Sequence, residues 1–255
     1  MRILVCVKRV PAPGAKIVLT DDALAIDTTL LSFAMSPHEE CAVEEAVQIA
    51  ENNGGTVTVM TLGPADAEDQ LRSSLAVGAH EAVLVLTDGS DWDPISTATA
   101  LVAAIRGLET EDSFDLILFG NESADSGGYQ VGIRVAHALG RPIVSGIKGV
   151  DVEDGGFKLR RDTPSGSEVY QIPMPAIVAV KEGINLPRYP TLKGRLNAKK
   201  IDVQQIEQDK AGSGQKMIRL VTPDVEVSET TILGTGLEAA PAVVDVLEEL
   251  QVLGS

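Results

Sequence analysis

Apolar residues follow two rhythms along this chain, and the change between them falls near Gly140. Before it, short apolar runs alternate with stretches whose apolar residues recur at helical spacing. The runs at 3–7, 56–62, 82–86 and 116–119 have the length of strands buried on both faces. Between them the spacing predicts helices from Ser36 to about Asn52, over 65–77, around 97–105 and over 130–139. The first opens with Ser36 as N-cap, Pro37 at the first helical position and Glu39 where a capping box needs an acid. In the second, Asp66, Glu68 and Asp69 fill the first turn, where the helix macrodipole favours anions, and Gly78 ends it. Pieces at 17–19 and 25–26, flanking an Asp21-Asp22 turn, read as short edge strands. Repeated β-α units with short connections specify an α/β fold, a Rossmann-like parallel sheet with helices on both faces.

After Gly140 the pattern alternates. Stretches 143–152, 157–161 and 168–172 read as a small antiparallel hairpin region turning at Asp154-Gly155-Gly156. The apolar run 175–180 is placed to return to the main sheet. Pro187 and Pro190 exclude regular helix or a central strand over 184–190. Stretch 191–200, TLKGRLNAKK, is basic and carries a glycine. Stretch 204–229 is polar, more arm than core, and 238–253 predicts an amphipathic helix with Pro241 in its first turn. The expected organisation is an α/β domain over 1–200 and a C-terminal arm and helix over 201–255. That arm packs either on a partner or back on its own domain.

In a sheet of this kind ligands sit off the carboxyl ends of the strands. This places around one crevice the loop from Cys6 to Pro13, the helix start at Ser36, the Leu62-Gly63-Pro64 turn and the loop from Gly120 to Val131. In that last loop Gly127 and Gly128 remove Cβ atoms that would hold a ligand off the backbone. Ser123 and Ser126 offer hydroxyls, and Asp125 could cap the following helix or accept from a ribose. The loop matches neither G-x-G-x-x-G nor G-x-x-x-x-G-K-[ST], so alone it reads equally as a turn joining strand to helix. Four such strand ends meeting in one place favour a nucleotide site. His38, Glu39 and Cys41 could be taken for metal ligands, but no H-E-x-x-H or paired C-x-x-C accompanies them, and a first helical turn explains all three.

Composition narrows the classes. Among 255 residues, 44% are hydrophobic and 23% charged, enough for a sizeable core. Aromatics at 3% and a net charge of −16 argue against nucleic acid and anionic membranes. Two cysteines without framework spacing suit a reducing cytoplasm. No apolar run nears the roughly 20 residues of a membrane span. The five apolar residues near the start are too few for a signal-peptide core, so a cytoplasmic protein is expected.

Several motifs in this order resemble one family: LVCVKRVPAPGAK, SPHEECAVEEAVQIAE, TLGPADAEDQLRSSLAVGAHEAV, LILFGNESADSGGYQVG and INLPRYPTLKGRLNAKK. The chain, to about Lys200, closely resembles the beta subunit of electron transfer flavoprotein, the FixA type. The resemblance implies a heterodimer whose alpha subunit holds most of the FAD, while this subunit grips its partner and buries an AMP. By motif, the AMP contacts fall on Cys6, Ser36, Pro37, His38, Glu39 and Leu62. They continue through Gly120, Asn121, Glu122, Ser123, Ala124, Asp125, Ser126, Gly127, Gly128, Tyr129, Gln130 and Val131. The implied role is to carry electrons from acyl-CoA and related dehydrogenases to the electron transfer flavoprotein-quinone oxidoreductase, with no general acid, base or nucleophile. Leu192, with Arg188, Tyr189, Lys193 and Arg195 around it, is implied to meet the dehydrogenase, and Asp162, beside Arg161, to meet the partner's flavin domain.

The chain departs from the family in three places. The AMP loop has lost most of an acidic triplet and gained two glycines, a look shared with electron-bifurcating relatives that hold a second FAD here and use NADH. The usual L-N-E-P-R-Y is Ile184-Asn185-Leu186-Pro187-Arg188-Tyr189, which lacks one acid. The loop after the first strand has no aromatic to offer a flavin. A stand-alone nucleotide-binding α/β domain is the remaining alternative.

Overall fold

The computed structural model describes residues 1–212, 214, 217–223 and 230–252. They divide into two compact units, Met1–Arg219 and Leu220–Ser255. In chain order the first unit runs β1 (Arg2–Val7), β2 (Val10–Pro11), β3 (Phe33–Ala34), α1 (Pro37–Asn53), β4 (Thr56–Gly63), α2 (Glu68–Val77), β5 (Glu81–Leu86) and α3 (Pro94–Leu108). It continues with β6 (Leu116–Gly120), α4 (Val131–Leu139), β7 (Ile143–Glu153), β8 (Gly156–Thr163), β9 (Gly166–Pro173), β10 (Ala176–Val180), α5 (Leu192–Ala198) and β11 (Val203–Glu207).

Nine strands form one sheet in the order β11-β5-β4-β1-β6-β10-β7-β8-β9. It is parallel from β11 to β7, and the β7-β8-β9 meander extends it in antiparallel register. The predicted hairpin region is therefore a continuation of the main sheet, and β10 does return to its middle.

The period of two along each strand sorts the core into two layers. Ile3, Val5 and Val7 of β1 join Ala42, Val43, Ala46 and Val47 of α1 and Leu71 and Leu75 of α2 on one face. Leu4 and Cys6 join Leu101 and Ile105 of α3 and Val135 and Ala136 of α4 on the other. Each fully buried leucine or isoleucine contributes about 1.5–3 kcal/mol, so these layers fix the register of the central strands.

The main sheet departs from the sequence expectation at two points. Val203–Glu207, expected within a polar arm, pairs in parallel with β5 and forms the sheet's edge, so the first unit extends well past Lys200. Residues 192–198, read from sequence only as part of a basic, glycine-bearing stretch, form α5. Nearer the N-terminus, the two pieces expected as edge strands are joined only by a single bridge, Leu19 to Ile26. A two-stranded ribbon of β2 and β3, not anticipated, closes the base of that excursion.

In the second unit a 3-10 turn over Gly236–Ala239 leads into α6 (Ala240–Glu249), with Pro241 in its first turn and none of its residues buried. Leu253, the expected end of this helix, lies outside the described residues.

Candidate functional site

The strand order reverses direction between β1 and β6: β4 and β5 lie on one side of β1, and β6 and β10 on the other. Loops leaving the carboxyl ends of β1 and β6 part here, which opens the crevice where open α/β sheets take ligands. The parts expected to converge do so. The loop after β1, the start of α1 and the loop after β6 are tied to one another by side chains, and β4 ends alongside at Leu62 and Gly63.

At the start of α1 the capping box forms, with the Ser36 N–H donating to Glu39 Oε2 at 3.2 Å. Pro37 occupies the first helical position. Gly120 lets this helix end descend onto β6, since a Cβ there would lie 2.7 Å from Glu39 Cγ and 3.2 Å from His38 Cβ. Glu39 is only 6% exposed, and its burial pushes the carboxyl up to about 7 against the pull of the Lys8 and Ser36 N–H groups. Cys6 lies beneath, its thiol pushed up by burial and by the Glu39 charge.

Two side-chain contacts fasten the loop after β6. Lys8 Nζ reaches Asp125 at 2.7 Å, and His38 Nε2 lies 3.4 Å from Glu122. Burial works against the Asp125 carboxylate, but the Lys8 ammonium, the Ser123 hydroxyl and the Ser126 N–H hold it below its usual value. The other ring nitrogen of His38 accepts the Glu182 N–H at 2.7 Å, so the ring also binds the chain beyond β10. Asn121 is buried and structural: its N–H donates to the Val180 carbonyl and its side-chain oxygen accepts the Gly146 N–H at 2.8 Å. Ser123 and Ser126 hydroxyls bond each other at 2.9 Å, and the Gly127 N–H donates to the Ser123 carbonyl.

The start of α4 differs from that of α1. Its N-terminus has no side-chain cap, because Asp125, one expected cap, is spent on Lys8 and the Ser126 N–H. Tyr129 precedes it with φ of 54°, a left-handed conformation costly for a bulky residue, and the Tyr129 hydroxyl bonds to Glu122. A Cβ on Gly128 would meet nothing within 4 Å. Gly132 brings the first turn of α4 down onto Phe119, where a Cβ would stand 3.2 Å from the ring. Val131 and Gln130 flank this turn. Free amides, a positive helix end, an open glycine and a nearby lysine fit the phosphate of a nucleotide.

The residues expected to meet other proteins lie elsewhere. Arg188 is committed to α1: its guanidinium bonds Glu44, whose side chain is 4% exposed, and Glu51. Leu186, Tyr189, Leu192 and Leu196 are exposed by 89%, 93%, 76% and 53%, an apolar rim on the 184–200 segment. Lys193 and Arg195 on α5 are exposed beside them. Thr191 caps α5 at the Gly194 N–H, and Gly194 allows contact with α2, since a Cβ would fall 2.2 Å from the Ala76 carbonyl oxygen. Arg72 of α2 closes the other end by binding the Ala198 and Ile201 carbonyls. On the hairpin, Arg161 pairs with Glu168 and Tyr170, and exposed Asp162 accepts from the Ser167 hydroxyl.

Lys8, Glu44 and Arg72 were not singled out from sequence. Glu44 had a visible signal, an acid set among Ala42, Val43, Ala46 and Val47 on a helix face that must be buried. Among the described residues, no cluster of three or more His, Cys, Asp or Glu could hold a metal ion, and no helix is long and apolar enough to cross a membrane.

Comparison with known proteins gives the family. The electron transfer flavoprotein domain matches residues 24–211. The electron transfer flavoprotein subunit beta of Bacillus subtilis is 34% identical over 211 residues, covering 82% of this chain and 80% of that one. That of Thermoanaerobacterium thermosaccharolyticum is 32% identical over 273 aligned positions, covering 99% and 100%. That of Mycobacterium tuberculosis is 36% identical over 207 residues, covering 79% and 77%. The chain belongs to the electron transfer flavoprotein beta-subunit family.

Proposed function

We propose that this chain is the beta subunit of a heterodimeric electron transfer flavoprotein and holds a structural AMP in the crevice between β1 and β6. The uncapped start of α4 at the topological switch point carries this reading. Amides of the 128–132 backbone take the phosphate, with Gly128 leaving the approach open, and Lys8 is held at the same loop by Asp125. Cys6, Ser36, Pro37, His38, Glu39 and Leu62 form the walls. FAD, bound mainly by the alpha subunit, supplies the redox chemistry, and this subunit supplies binding and orientation.

The apolar rim on the 184–200 segment meets acyl-CoA and related dehydrogenases, with Leu192 as the anchor and Lys193 and Arg195 steering the encounter. Electrons then pass to a membrane-associated quinone oxidoreductase. Asp162 and the second unit are the further contacts with the alpha subunit.

The test is to co-express the chain with its alpha subunit, purify the complex, and identify the nucleotides released on denaturation. One AMP and one FAD per heterodimer are expected. Two FAD would establish the bifurcating alternative. Absence of any adenine nucleotide, or failure to co-purify, would overturn the reading.

A further inference from the structure

Glu39 touches three edges of the crevice at once. Its carboxylate accepts the N–H groups of Ser36, before α1, and of Lys8, after β1. Its Cγ packs where a side chain on Gly120, the last residue of β6, would have to go. This contact joins those from Lys8 to Asp125 and from His38 to Glu122 in holding the loop after β1, the start of α1 and β6 together. Its charged neighbours on every side are identifiable. Lys8 follows β1, His38 and Glu40 share the first turn of α1, and Glu122 and Asp125 lie on the loop after β6. Glu182, beyond β10, meets His38 through its backbone N–H. Cys6 of β1 is the remaining titratable group. The Lys8 ammonium, the cation that acts on Glu39, is already paired with Asp125.

We propose that Glu39 is the positioning residue of the crevice, and that a phosphate-bearing ligand binds there together with a proton taken up by its carboxyl group. The proposal rests on the nucleotide reading above and adds a proton to it. A phosphate entering this crevice brings negative charge to a place that already holds three carboxylates in Glu39, Glu122 and Asp125. Asp125 is held ionised by Lys8, whereas Glu39 is buried and its carboxyl sits near 7, so Glu39 neutralises at the least cost. A protonated Glu39 keeps a carbonyl oxygen to accept an N–H, so the crevice keeps its frame as the charge disappears. The direction follows: the ligand favours the protonated form, so affinity falls as pH rises above about 7.

The test is calorimetric titration of AMP into the nucleotide-stripped complex at pH 7, 8 and 9, in two buffers of unlike ionisation enthalpy. Over this range the phosphate is already a dianion, its second pKa lying near ~6, so its own titration does not intrude. The natural protein should bind roughly tenfold or more weakly at pH 9 than at pH 7, and at pH 8 it should take up close to one proton per AMP. Glu39→Gln, which keeps an acceptor oxygen but cannot titrate, should bind with an affinity flat across the range and no proton uptake. The proton count on the natural protein needs no variant, so a poorly folding Glu39→Gln leaves the proposal testable. AMP binding without proton uptake, or an unchanged pH slope in Glu39→Gln, overturns the role of Glu39 alone. No AMP binding at any pH overturns the nucleotide reading and this inference with it.

Discussion

Helix α1 carries a site near each end, and the two are built on opposite plans. At its N-terminus, buried and half-buried groups face one another across a crevice, held by contacts that include His38 with Glu122, around the buried Glu39 carboxyl, which burial pushes up to about 7. Further along, Glu44 and Glu51 clamp Arg188 and fix the 184–200 segment, whose apolar side chains point away from the molecule. The crevice has its binding groups inside and leaves one helix end unsatisfied. The segment satisfies its own polar groups and leaves apolar surface unsatisfied. The first arrangement suits a small anionic ligand held within, and the second suits a protein met from outside, because pre-ordering the segment lowers what binding must spend on freezing it.

The same contrast runs through the glycines. Gly120 and Gly194 are sites of close packing, where a Cβ would strike Glu39 at 2.7 Å and the Ala76 carbonyl at 2.2 Å. Gly128 has space around it. A glycine with no steric reason, next to an uncapped helix end, is one that leaves room for something else.

The largest expected effect is on the clamp. Arg188→Ala strips Glu44 of its cation while leaving it buried. An uncompensated buried charge costs about 3 kcal/mol, or roughly 10 °C in Tm for a unit of this size. The Glu44 carboxyl works against burial and is held below its usual value by the Arg188 and Gln48 hydrogen bonds. Its contribution is therefore present above its unfolded pKa and lost as pH falls through the lower folded one. Thermal melts should show a deficit in Arg188→Ala that is full at pH 7 and shrinks in strong acid. An equal deficit at every pH would mean that the side chain acts by packing alone.

Next comes Gly194→Ala. The added methyl meets backbone rather than a side chain that could rotate away, so α5 must lift from α2 at a cost of about 1–3 kcal/mol. Hydrogen exchange should speed up in α5 while β1 and β6 stay protected. Loss confined to β1 and β6 would contradict the separation of the two sites.

Leu192→Ala should leave Tm unchanged, since the side chain is 76% exposed. By the proposed role, electron uptake from the dehydrogenase should weaken about ten- to a hundredfold in affinity, the equivalent of losing a buried leucine worth about 1.5–3 kcal/mol. Unimpaired transfer in a steady-state assay would remove Leu192 as the anchor.

How much of this was legible in the sequence varies with the range of the forces involved. The central strands and the start of α1 could be read because their signals are local: an unbroken apolar run in Ile3 to Val7, and Ser36, Pro37 and Glu39 in capping roles. The edge strand β11 could not, because in VQQIE only Val203 and Ile206 are apolar, and pairing with β5 decides its state. Helix α5 was hidden by Gly194, a poor helix residue that is present for contact with α2. In the crevice, motif and topology brought the right strand ends together. The contacts from Lys8 to Asp125 and from His38 to Glu122 join residues far apart in the chain, and no local pattern announces them. They take the acid that sequence reasoning had offered to α4, which is why that helix end stays open.

The smallest effect on stability is the most telling about the crevice. In Gly128→Val the new Cβ meets no neighbour within 4 Å, and Gly128 has no left-handed backbone conformation that would forbid it. Stability of the nucleotide-free protein should stay within about 0.5 kcal/mol, the usual range for a substitution away from packed groups. The valine instead fills the approach to the amides at the start of α4, where the phosphate is proposed to sit. The expected result is a normal melt without nucleotide, combined with lost AMP content and no stabilisation when AMP is added. A drop in Tm without AMP would make Gly128 a packing glycine like Gly120. Full AMP content in Gly128→Val would move the phosphate away from α4, and the loop from Gly120 to Val131 would then be a turn between strand and helix and nothing more.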